Sequence, residues 1–145
     1  MARRRLAVVG IDHFHATGWV ESIEQFRDEI EIVALYDRTP EVGRTLAPID
    51  HDPRLSPALN PAYRALPFYS DLDRLLGEQE IDLALVTLPN VEAPPAIERL
   101  AAAGVHLLVD KPGARTAAEA RRAFGAARAA GVKVAVGLTK RYAPA

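Results

Sequence analysis

Six short runs constrain this chain most. They are "RLAVV" (5–9), "IEIVALY" (30–36), "LPFY" (66–69), "IDLALVTL" (81–88), "VHLLV" (105–109) and "VKVAVG" (132–137), and several are apolar almost throughout. A strand with one wet face alternates apolar and polar side chains. A strand that does not alternate is buried on both faces, and such strands belong to a parallel sheet sandwiched between helices. The segments between the runs supply those helices. Residues 17–27 carry Trp19, Val20, Ile23 and Phe26 at helical spacing. Pro40 suits a first helical turn with Thr39 as its cap, and Ser70 is placed to cap "DLDRLL". "APPAIERLAAAG" closes on Gly104, and Thr116 opens an Ala-rich helix that closes on Gly131. The alternation predicts a single doubly wound α/β domain over residues 1–145, in three layers, with right-handed crossovers. The expected strand order is 3-2-1-4-5-6.

Composition narrows the function classes. The net charge is −1, so no basic field draws in nucleic acid or anionic lipid. There is no cysteine, which excludes disulfides and thiolate metal sites. The basic start "MARRR" is followed only by "LAVV" before Gly10, too short a run for the core of a signal peptide. No run reaches the ~20 apolar residues of a membrane span. A soluble, cytoplasmic protein is expected. One segment, 47–67, breaks the rhythm with five prolines and reads as a surface excursion, with a short helix or a flap beside the ligand crevice.

The turn after the first run, "GIDHFHATGW", reads as the phosphate-binding turn of a Rossmann-type unit. Gly10 makes the tight turn. Asp12 and His15 stand where such turns usually carry two further glycines. A carboxylate at Asp12 crowds and repels pyrophosphate, whereas His13, facing the crevice, can donate to it. His15 is expected to pack against the first helix. Asp37 closes the second strand, where an acidic residue takes the ribose hydroxyls of NAD and repels the phosphate of NADP. Arg38 follows and can stack on adenine or meet that phosphate, so NADP is not excluded. "TLPN" (87–90) and "VDKPGA" (109–114) end later strands at the edge where ligands of open α/β sheets bind. Lys111 is the one candidate proton donor in those two turns, and the following proline restricts its backbone.

The order of "VVG", "ALYD", "FYSDLDRLL", "IDLALVTLPN", "AIERLAAAGVHLLVDKPGA" and "VGLTKRYAPA" resembles the nucleotide-binding half of the glucose–fructose oxidoreductase / inositol dehydrogenase / MocA (Gfo/Idh/MocA) family across essentially the whole chain. The resemblance implies NAD(P) as cofactor and hydride transfer with a sugar-like or polyol alcohol. It implies that Lys111 lies near nicotinamide and substrate as a catalytic residue, with Asp110 in place of the usual Glu. It further implies that Thr87, Pro89 and Asn90 form a cofactor-binding turn, and that Asp37 is the ribose ligand. Ala93 stands where the family often has His. "KRYAPA" resembles the junction at which the family's second, substrate-binding domain begins, and there the sequence given ends. From this, residues 1–145 are expected to bind nucleotide without turnover, a sugar-like substrate being bound only with a second domain. Two copies are expected to pair through the uncovered last strand.

Three other readings stand beside this one. A nucleotide-binding sensor without catalysis is one. An interaction domain that has lost its cofactor is another, for which Asp12 and His15 speak. The third is a metal site gathering Asp12, His13 and His15 with His51 and Asp52. D-H-x-H is a weak ligand spacing, and the Pro-rich segment would have to fold back, so no metal is expected.

Overall fold

A computed structural model of the chain describes residues 2–47, 58–138 and 141. Its elements are β1 (Arg4–Val9), α1 (His15–Glu24), β2 (Ile30–Tyr36), α2 (Val42–Thr45), β3 (Phe68–Tyr69), α3 (Leu72–Glu78), β4 (Leu83–Val86), α4 (Ala93–Ala102), β5 (His106–Asp110), α5 (Ala117–Ala129) and β6 (Val134–Gly137). The strands form one sheet in the order β3-β2-β1-β4-β5-β6, with every pairing parallel. This is the doubly wound Rossmann-type fold, in the strand order expected.

The apolar runs are explained by the two cores they serve. In β1, Leu6 and Val8 point to the layer of α1 and α2, where they meet Ile11, Val20, Ile23, Val42 and Leu46. Ala7 and Val9 point the other way, toward Leu72, Leu75, Ile97, Leu100, Ala123 and Ala127 of α3, α4 and α5. From Leu6 to Val9, neither face of β1 can therefore carry a polar residue. Each buried Leu, Ile or Val contributes about 1.5–3 kcal/mol.

The ends of the elements differ in places from the sequence reading. Helix α1 begins two residues before Thr17, at His15, and ends at Glu24, short of Arg27. Asp71, not Ser70, caps α3, accepting from the N–H groups of Asp73 and Arg74. Thr39 does not cap α2; Glu41 precedes the helix and makes no side-chain cap bond. Thr116 and Glu119 do form a reciprocal capping box at α5. Gly104 and Gly131 both adopt positive φ just beyond their helices. In the Pro-rich stretch, Pro61–Ala65 is a 3-10 turn. Residues 48–57, with His51 and Asp52, and most of "KRYAPA" lie outside the described residues. Among those described, no helix is long and apolar enough to cross a membrane.

One contact ties the last strand to α1. Trp19 lies over Gly137, where an added Cβ would come 2.3 Å from the indole Cζ2. Gly137→Ala should therefore push Trp19 off the sheet and destabilise the domain by about 1–3 kcal/mol, as overpacking does. Thermal unfolding followed by circular dichroism measures this, and an unchanged midpoint would mean that the ring moves without resistance.

Candidate functional site

The sheet's topology makes the site. From β1 the chain winds one way to β2 and β3, then returns to β4 on the other side. The helices that follow β1 and β4 leave on opposite faces, so a crevice opens at the carboxyl ends of these strands. Gly10, Asp12 and His13 follow β1, Asp37 and Arg38 follow β2, Thr87, Pro89 and Asn90 follow β4, and Asp110 closes β5 with Lys111 just beyond it. These residues thus follow the carboxyl ends of their strands along one edge of the sheet.

Gly10 holds the turn by geometry that no other residue matches. Its φ is +110°, and a Cβ would lie 2.6 Å from the Leu88 nitrogen and 2.7 Å from the Thr87 carbonyl carbon. Its N–H donates to the Tyr36 carbonyl at 2.8 Å, and its own carbonyl accepts from the Thr87 hydroxyl. Thr87 is wholly buried and works as a strut between β4 and the β1 turn. The adjoining helix α1 has no side-chain cap from Phe14 and no acidic residue in its first turn. A helix start of that kind suits an anion.

Asp37 occupies a role that its position in the sequence did not suggest. Its Oδ2 accepts from the N–H groups of Ile11 and Asp12, both at 2.8 Å, and its Oδ1 accepts from the Thr39 N–H at 3.0 Å. The residue is 2% exposed. The carboxylate fastens the Gly10 turn to the end of β2. Beside it, the exposed Arg38 pairs with Glu92 at 3.0 Å. Burial pushes the Glu92 carboxyl above its usual range; Arg38 pulls it down, while Asp37 and Asp12 push it further up. The edge near β2 thus carries several carboxylates, and the Arg38 guanidinium is already engaged with one of them. Pro89 and Asn90 are exposed, and the Pro89 carbonyl accepts from the Glu92 and Ala93 N–H groups as α4 begins.

At the β5 end a second cluster forms. His15 does not simply pack on its helix: its Nδ1 lies 2.8 Å from Asp110 Oδ2, joining residues 95 positions apart. The Trp19 indole N–H donates to Asp110 Oδ1 at 3.0 Å. Burial raises the Asp110 carboxyl, but the hydrogen bonds from His15 and Trp19, with the charges of His15 and His13, outweigh it and hold the group below the usual carboxylate range. The His15 N–H donates to His13 Nδ1 at 3.2 Å, and the two rings meet edge-on at 4.8 Å. A cavity of about 480 Å³ opens here, lined by His15, Trp19, Asp110, Gly137 and the exposed Lys111, among others. The arrangement offers an ammonium group and imidazoles beside a space large enough for a small polar molecule. Sequence reading missed Trp19 and Glu92 as site residues. One signal for the first was present: His15 and Trp19 are four apart on one helix, so their polar atoms share a face.

Residues 4–138 match the protein family described as an oxidoreductase family with an NAD-binding Rossmann fold, GFO_IDH_MocA. Solved structures with the same fold include a dehydrogenase from Chromobacterium violaceum, 22% identical with a TM-score of 0.78, covering 99% of this chain and 38% of that one. The WlbA dehydrogenase from Bordetella pertussis, solved in complex with NADH and UDP-GlcNAcA, is 24% identical with a TM-score of 0.77, over 98% of this chain and 39% of that one. An oxidoreductase from Agrobacterium radiobacter, solved with NAD+, L-tartaric acid and magnesium, is 18% identical with a TM-score of 0.71, over 93% and 35%. The chain therefore spans less than two fifths of the length of each of these neighbours.

Proposed function

Because this chain belongs to the Gfo/Idh/MocA oxidoreductase family with its NAD-binding Rossmann fold, we propose that residues 1–145 are the dinucleotide-holding part of a dehydrogenase acting on a sugar-like or polyol alcohol in the cytoplasm. The observation that carries this reading is the single edge shared by the Gly10 turn, the "TLPN" turn and Lys111. The start of α1, where Phe14 gives no side-chain cap, receives the pyrophosphate once His13 Nδ1 releases the His15 N–H. Pro89 and Asn90 border the cofactor on the β4 side, with the buried Thr87 bracing the Gly10 turn behind them, and Asp110 and Lys111 border its nicotinamide end. When bound, the nicotinamide accepts or supplies the hydride. Lys111 holds the substrate oxygen and exchanges its proton. NAD is preferred over NADP, because Asp37, Asp12 and Glu92 make the ribose side acidic and Arg38 is spent on Glu92. For Asp37 to reach the ribose, its grip on the Gly10 turn must loosen.

Asp12 weakens binding by its charge. Two unit charges 4 Å apart in water interact by about 1 kcal/mol, so Asp12→Gly should tighten NADH binding roughly fivefold. Calorimetric titration of both proteins tests this; equal or weaker binding in the variant would show that Asp12 does not face the phosphates.

Residues 1–145 alone should not turn over polyols or sugars. Hydride transfer needs the donor carbon held against the nicotinamide, and orientation supplies about 7–11 kcal/mol of such barriers. Lys111 is one group on an open edge and does not build a pocket. A panel of polyols and sugars followed by nicotinamide absorbance checks this. Turnover that disappears in Lys111→Ala would mean that the pocket is complete within these residues or across a pair of them. Pairing itself is proposed through β6, where Ala135 is exposed and its neighbours Val134 and Val136 are only partly covered. Light scattering reads the mass.

A further inference from the structure

We propose that His13, His15 and Asp110 bind one divalent transition-metal ion of the zinc class. The three side chains come from opposite ends of the sequence, the turn after β1 and the last residue of β5, and the fold brings their ligand atoms within 4.8 Å of one another. Zinc holds nitrogen and oxygen ligands at about 2.1 Å, which sets tetrahedral neighbours about 3.4 Å apart. His15 Nδ1 and Asp110 Oδ2, at 2.8 Å, need to open slightly. His13, on the turn, must swing inward and either release the His15 N–H from its Nδ1 or ligate through Nε2. The cation takes the place of the hydrogen between His15 Nδ1 and the carboxylate, and the neutral imidazole then carries its hydrogen on Nε2.

The surroundings fit a ligand set. Asp110 is buried, and its second oxygen is held by the Trp19 indole N–H at 3.0 Å. Supporting bonds of this kind orient a ligating carboxylate. Trp19 is in turn set against Gly137. Two imidazoles and one carboxylate suit zinc, cobalt or a similar ion, whereas calcium and magnesium take oxygen ligands. Three protein ligands leave a fourth position for water, on the side of the cavity that His15 and Asp110 line.

The test is calorimetry with zinc chloride and visible absorption with cobalt chloride on the 145-residue chain, without nucleotide. The expected result is one ion per chain and a tetrahedral cobalt band. His13→Ala, His15→Ala and Asp110→Asn should each weaken binding by at least about 100-fold, and Trp19→Phe by about 10–100-fold. His106→Ala, at the far end of β5, should leave it unchanged. Circular dichroism monitors folding of each variant; His13, which lies in the turn outside both cores, keeps the test informative if the Asp110 variant unfolds. Absence of a stoichiometric ion, or binding that survives His13→Ala and His15→Ala and vanishes in His51→Ala, would overturn the proposal.

Discussion

Gly10→Ala is expected to abolish dinucleotide binding and to destabilise the domain by roughly 2–5 kcal/mol. Two effects combine. A residue other than glycine at positive φ costs about 1–2 kcal/mol. The new methyl also meets main-chain atoms of Thr87 and Leu88 at 2.7 and 2.6 Å. Backbone cannot step aside as a side chain can, and overpacking adds about 1–3 kcal/mol. Relief requires the β1 turn to move away from β4, which breaks the bond from the Thr87 hydroxyl and shifts the start of α1. Binding should fall at least about 100-fold, because the amides at that helix start no longer converge on one anion. Urea unfolding and NADH titration of the same preparation separate the two effects. Wild-type affinity in a folded Gly10→Ala protein would place the phosphate site elsewhere.

Asp37→Ala should cost about 3–5 kcal/mol of stability, comparable to removing one partner of a buried ion pair. Three N–H groups lose a charged acceptor, two of them in the Gly10 turn. Hydrogen bonds to charged groups contribute about 1.5–3 kcal/mol each and are not strictly additive. Against a total stability of about 5–15 kcal/mol the loss is large. Asp37→Asn, which keeps one acceptor oxygen, should lose less. Chemical unfolding gives both values. If Asp37 served the ribose alone, both variants would unfold at the wild-type midpoint and only cofactor affinity would change.

These two residues show how far the sequence was legible. Gly10 could be recognised because a local rule governs it: an apolar run ends, the chain turns sharply and a helix starts. The strands were legible for a similar reason, since burial on both faces leaves its mark on each residue, as in Leu6, Ala7, Val8 and Val9. Helix starts without a side-chain cap carry no such mark, and α1 accordingly began at His15 rather than Thr17. Asp37 could be placed on the correct edge, but its bonds to Ile11 and Asp12 depend on how two strands lie side by side. The pairing of His15 with Asp110 spans almost the whole fold and crosses from α1 to β5. Nothing in the local spacing of either residue announces it. Arg38 is engaged by Glu92, at the start of α4, a partner far along the chain that its own surroundings in the sequence do not indicate.

The edge bearing Gly10 and Lys111 is proposed to hold a nicotinamide dinucleotide. The most direct test of that proposal uses Trp19, the one tryptophan of the chain, which lines the cavity at the β5 end. Titration of residues 1–145 with NADH should change Trp19 fluorescence saturably, with one site per chain and weaker binding of NADPH. The Gly10→Ala protein should show no saturation under the same conditions. A wild-type chain that never saturates, or one whose affinity is untouched by Gly10→Ala, would contradict the account.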